Sequence, residues 1–150
     1  MRRLATLLVL SLALVVAACS SGGGSTASGG GIVTVSGAWA RAAAKGAESA
    51  VYLQIVNGRL SDDTLVGVST DSATKASLHE TKTGDSGMTG MQPVDGIKVP
   101  AGKTVMLEPG GYHIMLEGLT ADLVAGSQIR LVLTFEQGGP LNVTAEVRAN

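Results

Sequence analysis

The chain has 150 residues, eleven basic and twelve acidic, for a formal charge of −1, with 45% hydrophobic residues, 3% aromatic and one cysteine. This balance argues against a nucleic-acid partner and gives no support for binding anionic lipid. A lone cysteine excludes an internal disulfide framework, and the length suits one domain with a buried core.

Met1-Arg2-Arg3 is a short basic region, and residues 4–18 form an apolar run of signal-peptide length. The run ends Val16-Ala17-Ala18-Cys19, which resembles a bacterial lipobox. The resemblance implies cleavage before Cys19 and a diacylglycerol (palmitate-type chains) on its sulfur. A lipid with two or more acyl chains anchors stably, at about 0.8 kcal/mol per buried methylene. A plain secretory signal with an incidental cysteine is the alternative. Residues 1–18 are thus expected to be a lipoprotein signal peptide. Its removal takes Arg2 and Arg3 with it and leaves nine basic against twelve acidic side chains. Residues 20–31 are only Gly, Ser, Ala and Thr, so 19–31 read as the lipidated cysteine and a flexible leash, and 32–150 as the folded domain.

From residue 32 onward, short apolar stretches alternate with turn residues. Strands are expected at 32–35, 50–56 (running into Asn57-Gly58), 64–70 and 75–79. A glycine-rich loop at 84–90 holds Met88. Brief strands follow at 91–94, 97–99, 104–107 and 112–116, and longer alternating ones at 128–136 and 141–147. The alanine-rich 38–44 is short and reads as irregular, with Trp39 and Arg41 fixing the packing of the first strand or forming an ion pair. A one-turn helix around 121–123 is the one helical candidate. Asp62-Asp63 reads as a turn. Eight to ten short strands without a long helical period predict an all-β, antiparallel Greek-key sandwich or barrel.

In the strand at 112–116, Tyr112, Ile114 and Leu116 share one face and should enter the core. His113 and Met115 share the other, setting an imidazole beside a thioether. Apart from the initiator, all four methionines (Met88, Met91, Met106, Met115) and both histidines (His79, His113) lie between residues 79 and 115. Core methionines would not cluster so. Two imidazoles and two thioethers make a neutral, soft donor set suited to Cu(I). A blue-copper electron-transfer site would normally need a cysteine, and none is available. Met106 alternates with Val105 and Leu107 and is expected in the core or on the sheet surface. No serine–histidine–acid set or phosphate loop stands out, so no enzyme is expected.

The spacing of these residues resembles that of the periplasmic copper chaperones associated with the copper A centre of cytochrome c oxidase, the PCuAC-like family. That family's pattern is a histidine, about ten residues, a methionine, twenty-one residues, then His-x-Met. Here Met91 and His113 are separated by twenty-one residues, and His113-Ile114-Met115 closes the pattern. His79 and Met91 are separated by eleven, the extra residue falling in the glycine-rich loop. Leu78-His79-Glu80, Val99-Pro100-Ala101-Gly102, Pro109-Gly110-Gly111-Tyr112, Ala38-Trp39-Ala40-Arg41 and Ala50-Val51-Tyr52 also resemble family contexts. The chain departs from the pattern at Thr81 and Thr83, where relatives often carry methionines. The resemblance implies a cupredoxin-like fold and a Cu(I) site at His79, Met91, His113 and Met115, with Met88 an accessory candidate. It also implies an extracytoplasmic, membrane-anchored chaperone. Its recipient would be the copper A subunit of an oxidase or a Sco-type assembly protein. The alternatives are copper sequestration under metal stress, or a surface lipoprotein whose β domain binds protein or carbohydrate.

Overall fold

The structure is a computed structural model and describes residues 31–84 and 87–149. The signal segment, Cys19 and residues 20–30 of the leash lie outside the described residues. Ten strands follow in order: β1 (Val33–Arg41), β2 (Ser49–Asn57), β3 (Asp63–Ser69), β4 (Ala73–Thr83), β5 (Thr89–Pro93), β6 (Ile97–Val99), β7 (Thr104–Leu107), β8 (Tyr112–Leu119), β9 (Gln128–Phe135) and β10 (Gly139–Arg148). They hydrogen-bond in the order β5-β4-β8-β7-β2-β1-β10-β9-β3-β6, with β8 also pairing β2. Strand β1 pairs β10 in parallel, and β7 meets β8 in parallel at Leu107 and Tyr112; the remaining ladders are antiparallel.

The all-β expectation holds, and period-two patterning explains it. In β9, Ile129, Leu131, Leu133 and Phe135 are buried while Gln128, Arg130 and Thr134 are exposed. The inward residues of β2, β4 and β8 (Val51, Ile55, Leu78, Ile114, Leu116) join those of β3, β6, β9 and β10 (Leu65, Val99, Leu131, Val147) in one hydrophobic cluster. The continuous sheet therefore folds over on itself to enclose a single core. Each fully buried Leu or Ile contributes about 1.5–3 kcal/mol relative to exposure.

Polar residues close the far end. Asn57 is fully buried at the end of β2. Its Nδ2 donates to the carbonyls of Ser61 (3.0 Å) and Val99 (2.8 Å), and its Oδ1 accepts from the Arg59 N–H (3.0 Å). Asp63 is buried too, with Oδ1 accepting from the N–H groups of Thr64 and Gln137 and Oδ2 facing Arg59 at 3.3 Å. The Asp62-Asp63 pair is thus structural, but the turn reading is corrected: Asp63 opens β3, pairing Val99, and only Asp62 lies outside the strand.

Two local expectations are corrected. Residues 38–41 are not irregular; they continue β1. A bulge between Ser36 and Trp39, with Gly37 at φ +62°, re-registers the strand so that Trp39 pairs Tyr52 and Ala40 pairs Val51. Ala40 is then fully buried, and the small side chain that weakened the sequence signal is what fits there. Residues 121–123 are not helical. Leu123 instead bridges Ala43, exchanging backbone hydrogen bonds of 2.8 and 3.2 Å. No helix occurs among the described residues.

Candidate metal centre

The site is built on β8. Ile114 and Leu116 point into the core and are fully buried. Tyr112, expected with them, is half-buried and packs on the core's edge because it opens the strand beside the turn. His113, Met115 and Glu117 take the other face by alternation.

Strand register brings the remaining candidates to that face, because directly paired residues share a side of a sheet. On β4, His79 pairs His113, Ser77 pairs Met115 and Lys75 pairs Glu117. On β5, Met91 pairs Thr81, two residues along β4 from His79. On β2, Ala50 pairs Met115 and Val51 pairs Ile114, which sets Tyr52 next to His113. His79, Met91, His113 and Met115 therefore stand on one face, opposite the core. Met91 and Met115 line the same groove, of about 500 Å³, with Tyr52 and the alanines Ala42, Ala43, Ala44 and Ala47.

At the centre of this face one side chain is closed off from solvent. His113 is only 2% exposed although it does not enter the core. Its ring packs against His79 (centroids 5.7 Å apart) and Tyr52 (6.4 Å). Tyr52 packs in turn on Trp39 at 4.7 Å. Arg41 lies over the Tyr52 ring and Arg148 over the Trp39 ring, each 5.5 Å from the centroid. Arg41 thus makes a cation–π contact rather than the ion pair entertained from sequence.

Each imidazole has one anchored and one free nitrogen. His113 Nδ1 lies 3.2 Å from the Gly111 carbonyl, to which its N–H donates. The turn sets that carbonyl: Gly110 adopts φ +85°, and the Gly111 N–H donates to the Glu108 carbonyl at 3.0 Å. His79 Nε2 lies 3.1 Å from Ser77 Oγ. The other nitrogens, His79 Nδ1 and His113 Nε2, are buried without a hydrogen-bond partner. Such atoms are rare, and two on neighbouring residues call for a ligand that accepts a nitrogen lone pair. Burial lowers the pKa of His79 below its ordinary value. The positive charge of a protonated His113 lowers it further, Glu117 raises it, and Lys75 and Glu48 exert weaker opposing effects. A neutral imidazole is the form that binds a metal.

Met91 is 57% exposed on the edge strand β5. Met88 is 74% exposed in the hairpin before it, and its carbonyl accepts from the Gly84 N–H; nothing brings its side chain to the groove. Met106 lies exposed on the sheet surface opposite Gln54, one of the two places expected. Among the described residues, no group of three or more His, Cys, Asp or Glu side chains is placed to hold a metal ion. Sequence reasoning missed Tyr52, Ser77 and Glu117 as parts of this face. Counting back by two from His79 would have flagged Ser77.

Solved structures share this architecture. "Copper-bound PCuAC domain from PmoF2" superposes with a TM-score of 0.67 at 25% identity, over 80% of this chain and 95% of that one. "Apo PCuAC domain from PmoF1" gives 0.69 at 25% identity, over 80% and 96%. The Cu(I) form of DR1885 from Deinococcus radiodurans gives 0.59 at 34% identity, over 77% and 79%. Fold and face together define a cupredoxin-like β domain of the PCuAC class.

Within that class, the chain belongs to the LpqE-like lipoprotein family, whose model, "Putative lipoprotein LpqE-like", matches residues 33–147. It is 38% identical over 116 residues to "Putative lipoprotein Lxx21020" of Leifsonia xyli, spanning 77% of this chain and 69% of that protein. It is 31% identical over 114 residues to "Uncharacterized protein RP573" of Rickettsia prowazekii, but covers only 62% of that protein's length.

Proposed function

We propose that this protein is an extracytoplasmic, lipid-anchored Cu(I) carrier. It binds the ion through His79, Met91, His113 and Met115 and passes it to a partner. The observation that supports this most is the pair of buried, unpartnered imidazole nitrogens on the face that also carries both thioethers. All four donors are uncharged, which suits a soft monovalent ion; the two thioethers favour Cu(I) over Zn(II), and the set offers little to Mg(II). Solved structures of the same fold include a copper-bound PCuAC domain and a Cu(I) form of DR1885.

Binding and release, rather than catalysis, fit the site. Met91 and Met115 border an open groove through which a recipient's donors can approach while the imidazoles stay fixed below. The recipient we favour, on family resemblance, is the copper A subunit of a terminal oxidase or a Sco-type assembly protein. Cys19 would carry the lipid, and residues 20–31 would let the domain at 32–150 reach a membrane-bound partner.

The test is a competition titration with Cu(I) and Zn(II), comparing the protein with a His113→Ala/Met115→Ala variant. One-to-one Cu(I) binding that the variant loses supports the proposal. Binding of neither ion would leave a β-sandwich lipoprotein that recognises something else. Stoichiometric transfer to a copper-free recipient domain would separate delivery from sequestration.

A further inference from the structure

The two histidines are anchored through different ring nitrogens, so they must hold opposite tautomers to offer a lone pair to one ion. A backbone carbonyl does this for His113. The Gly111 oxygen can only accept, so the hydrogen sits on His113 Nδ1 and Nε2 stays free.

His79 has no such carbonyl. Its Nε2 faces Ser77 Oγ at 3.1 Å, and a hydroxyl can donate or accept. The tautomer is therefore decided one step further out. Ser77 Oγ lies 3.5 Å from Glu117 Oε1, and the same oxygen is held at 2.7 Å by Lys75 Nζ. Lys75, Ser77 and His79 alternate along β4, and Glu117 lies opposite Lys75 on β8, so all four share the face of the site. A carboxylate only accepts, so the single serine hydrogen goes to Glu117 and the hydroxyl lone pair takes the His79 Nε2–H. The reverse arrangement would put a hydrogen on His79 Nδ1, which is buried with no acceptor in reach.

We propose that Ser77 and Glu117 are positioning residues that fix His79 in its Nε2–H tautomer and so turn Nδ1 into the atom available to a metal. The copper reading above supplies only the identity of the ion; the tautomer belongs to the metal-free protein. Outer partners of this kind typically change metal affinity by about 10–100-fold.

The experiment is long-range 1H–15N NMR on the full chain in detergent micelles, metal-free and at neutral pH, followed by Cu(I) titration. His79 is expected with Nε2 protonated and Nδ1 bare, and His113 the other way round. Ser77→Ala should mix the His79 tautomers and weaken Cu(I) binding about 10–100-fold. Ser77→Thr, which keeps the hydroxyl, should restore both, and Glu117→Gln should weaken the bias. Amide spectra matching the parent protein would show that the variants are folded. Wild-type His79 protonated at Nδ1, or a tautomer unmoved by Ser77→Ala, overturns the proposal. Tautomers that respond as stated in a chain that binds no Cu(I) would uphold the relay and sink the copper reading instead.

Discussion

His79 and His113 are direct cross-strand partners, with ring centroids 5.7 Å apart and planes inclined by 46°, and each keeps one buried nitrogen unpaired. Leaving a polar atom buried and unpaired costs about 1–3 kcal/mol, so this pair weakens the metal-free fold. Residues that destabilise a domain while clustering on one face are serving something other than folding.

A first prediction follows from that cost. His113→Phe replaces the imidazole by an apolar ring of similar size. The Gly111 carbonyl keeps the Thr81 N–H as a donor at 3.0 Å, so the change strands no backbone group. The metal-free variant should melt within about 3 °C of the parent or above it, while Cu(I) binding disappears. Calorimetry showing a much larger fall in Tm would mean that His113 is a structural residue first.

Cu(I) itself should stabilise the fold. A ligand that binds only the native state, at about a hundred times its Kd, adds roughly 2.7 kcal/mol. Thermal scans with and without Cu(I) should therefore separate for the wild type and converge for Met91→Ala/Met115→Ala. Met88→Ala and Met106→Ala should retain the wild-type shift, because neither side chain borders the groove.

Acid should act on the metal-free fold through His79. Its pKa is lowered in the native state, chiefly by burial, from the ordinary 6.5. Between the lowered value and 6.5 the unfolded chain holds the extra proton, so stability falls as pH drops through that window and is unaffected above it. Chemical denaturation from pH 7.5 down to 5 should show this slope, and His79→Gln should flatten it. An identical slope in the variant would assign the effect to other groups.

Asn57 offers a control remote from the metal face. Asn57→Ala removes three hydrogen bonds, two of them holding the carbonyls of Ser61 and Val99. At about 0.5–1.5 kcal/mol each, the loss should total roughly 1.5–4.5 kcal/mol in a denaturant titration. Cu(I) stoichiometry should not change. Altered stoichiometry would mean that the two ends of the sandwich are coupled.

Much of this architecture was readable from residue order alone. The alternation in β8 separated Ile114 and Leu116 from His113 and Met115, and β9 announced its buried face with Ile129, Leu131, Leu133 and Phe135. The second half of β1 was not readable, because alanine carries little strand signal and the bulge at Gly37 is a tertiary accommodation. Tyr52, Ser77 and Glu117 escaped for another reason. Their role depends on which strands are neighbours and in what register, and a one-residue slip would turn each of them to the opposite face. The eleven-residue interval from His79 to Met91 makes the same point. It becomes meaningful only once β4 and β5 close a hairpin that puts Met91 opposite Thr81.

That hairpin also bears on how an ion would leave. β5 lies at one end of the sheet order, is laddered only to β4, and all five of its residues are exposed. Segments with so little buried surface open at far lower cost than the interior strands that carry His79, His113 and Met115. Of the four proposed donors, Met91 alone hangs on a wall that can peel back without disturbing the rest of the cage. The speed of unloading would then track the fraying of one short ribbon and be independent of how firmly the domain as a whole is folded.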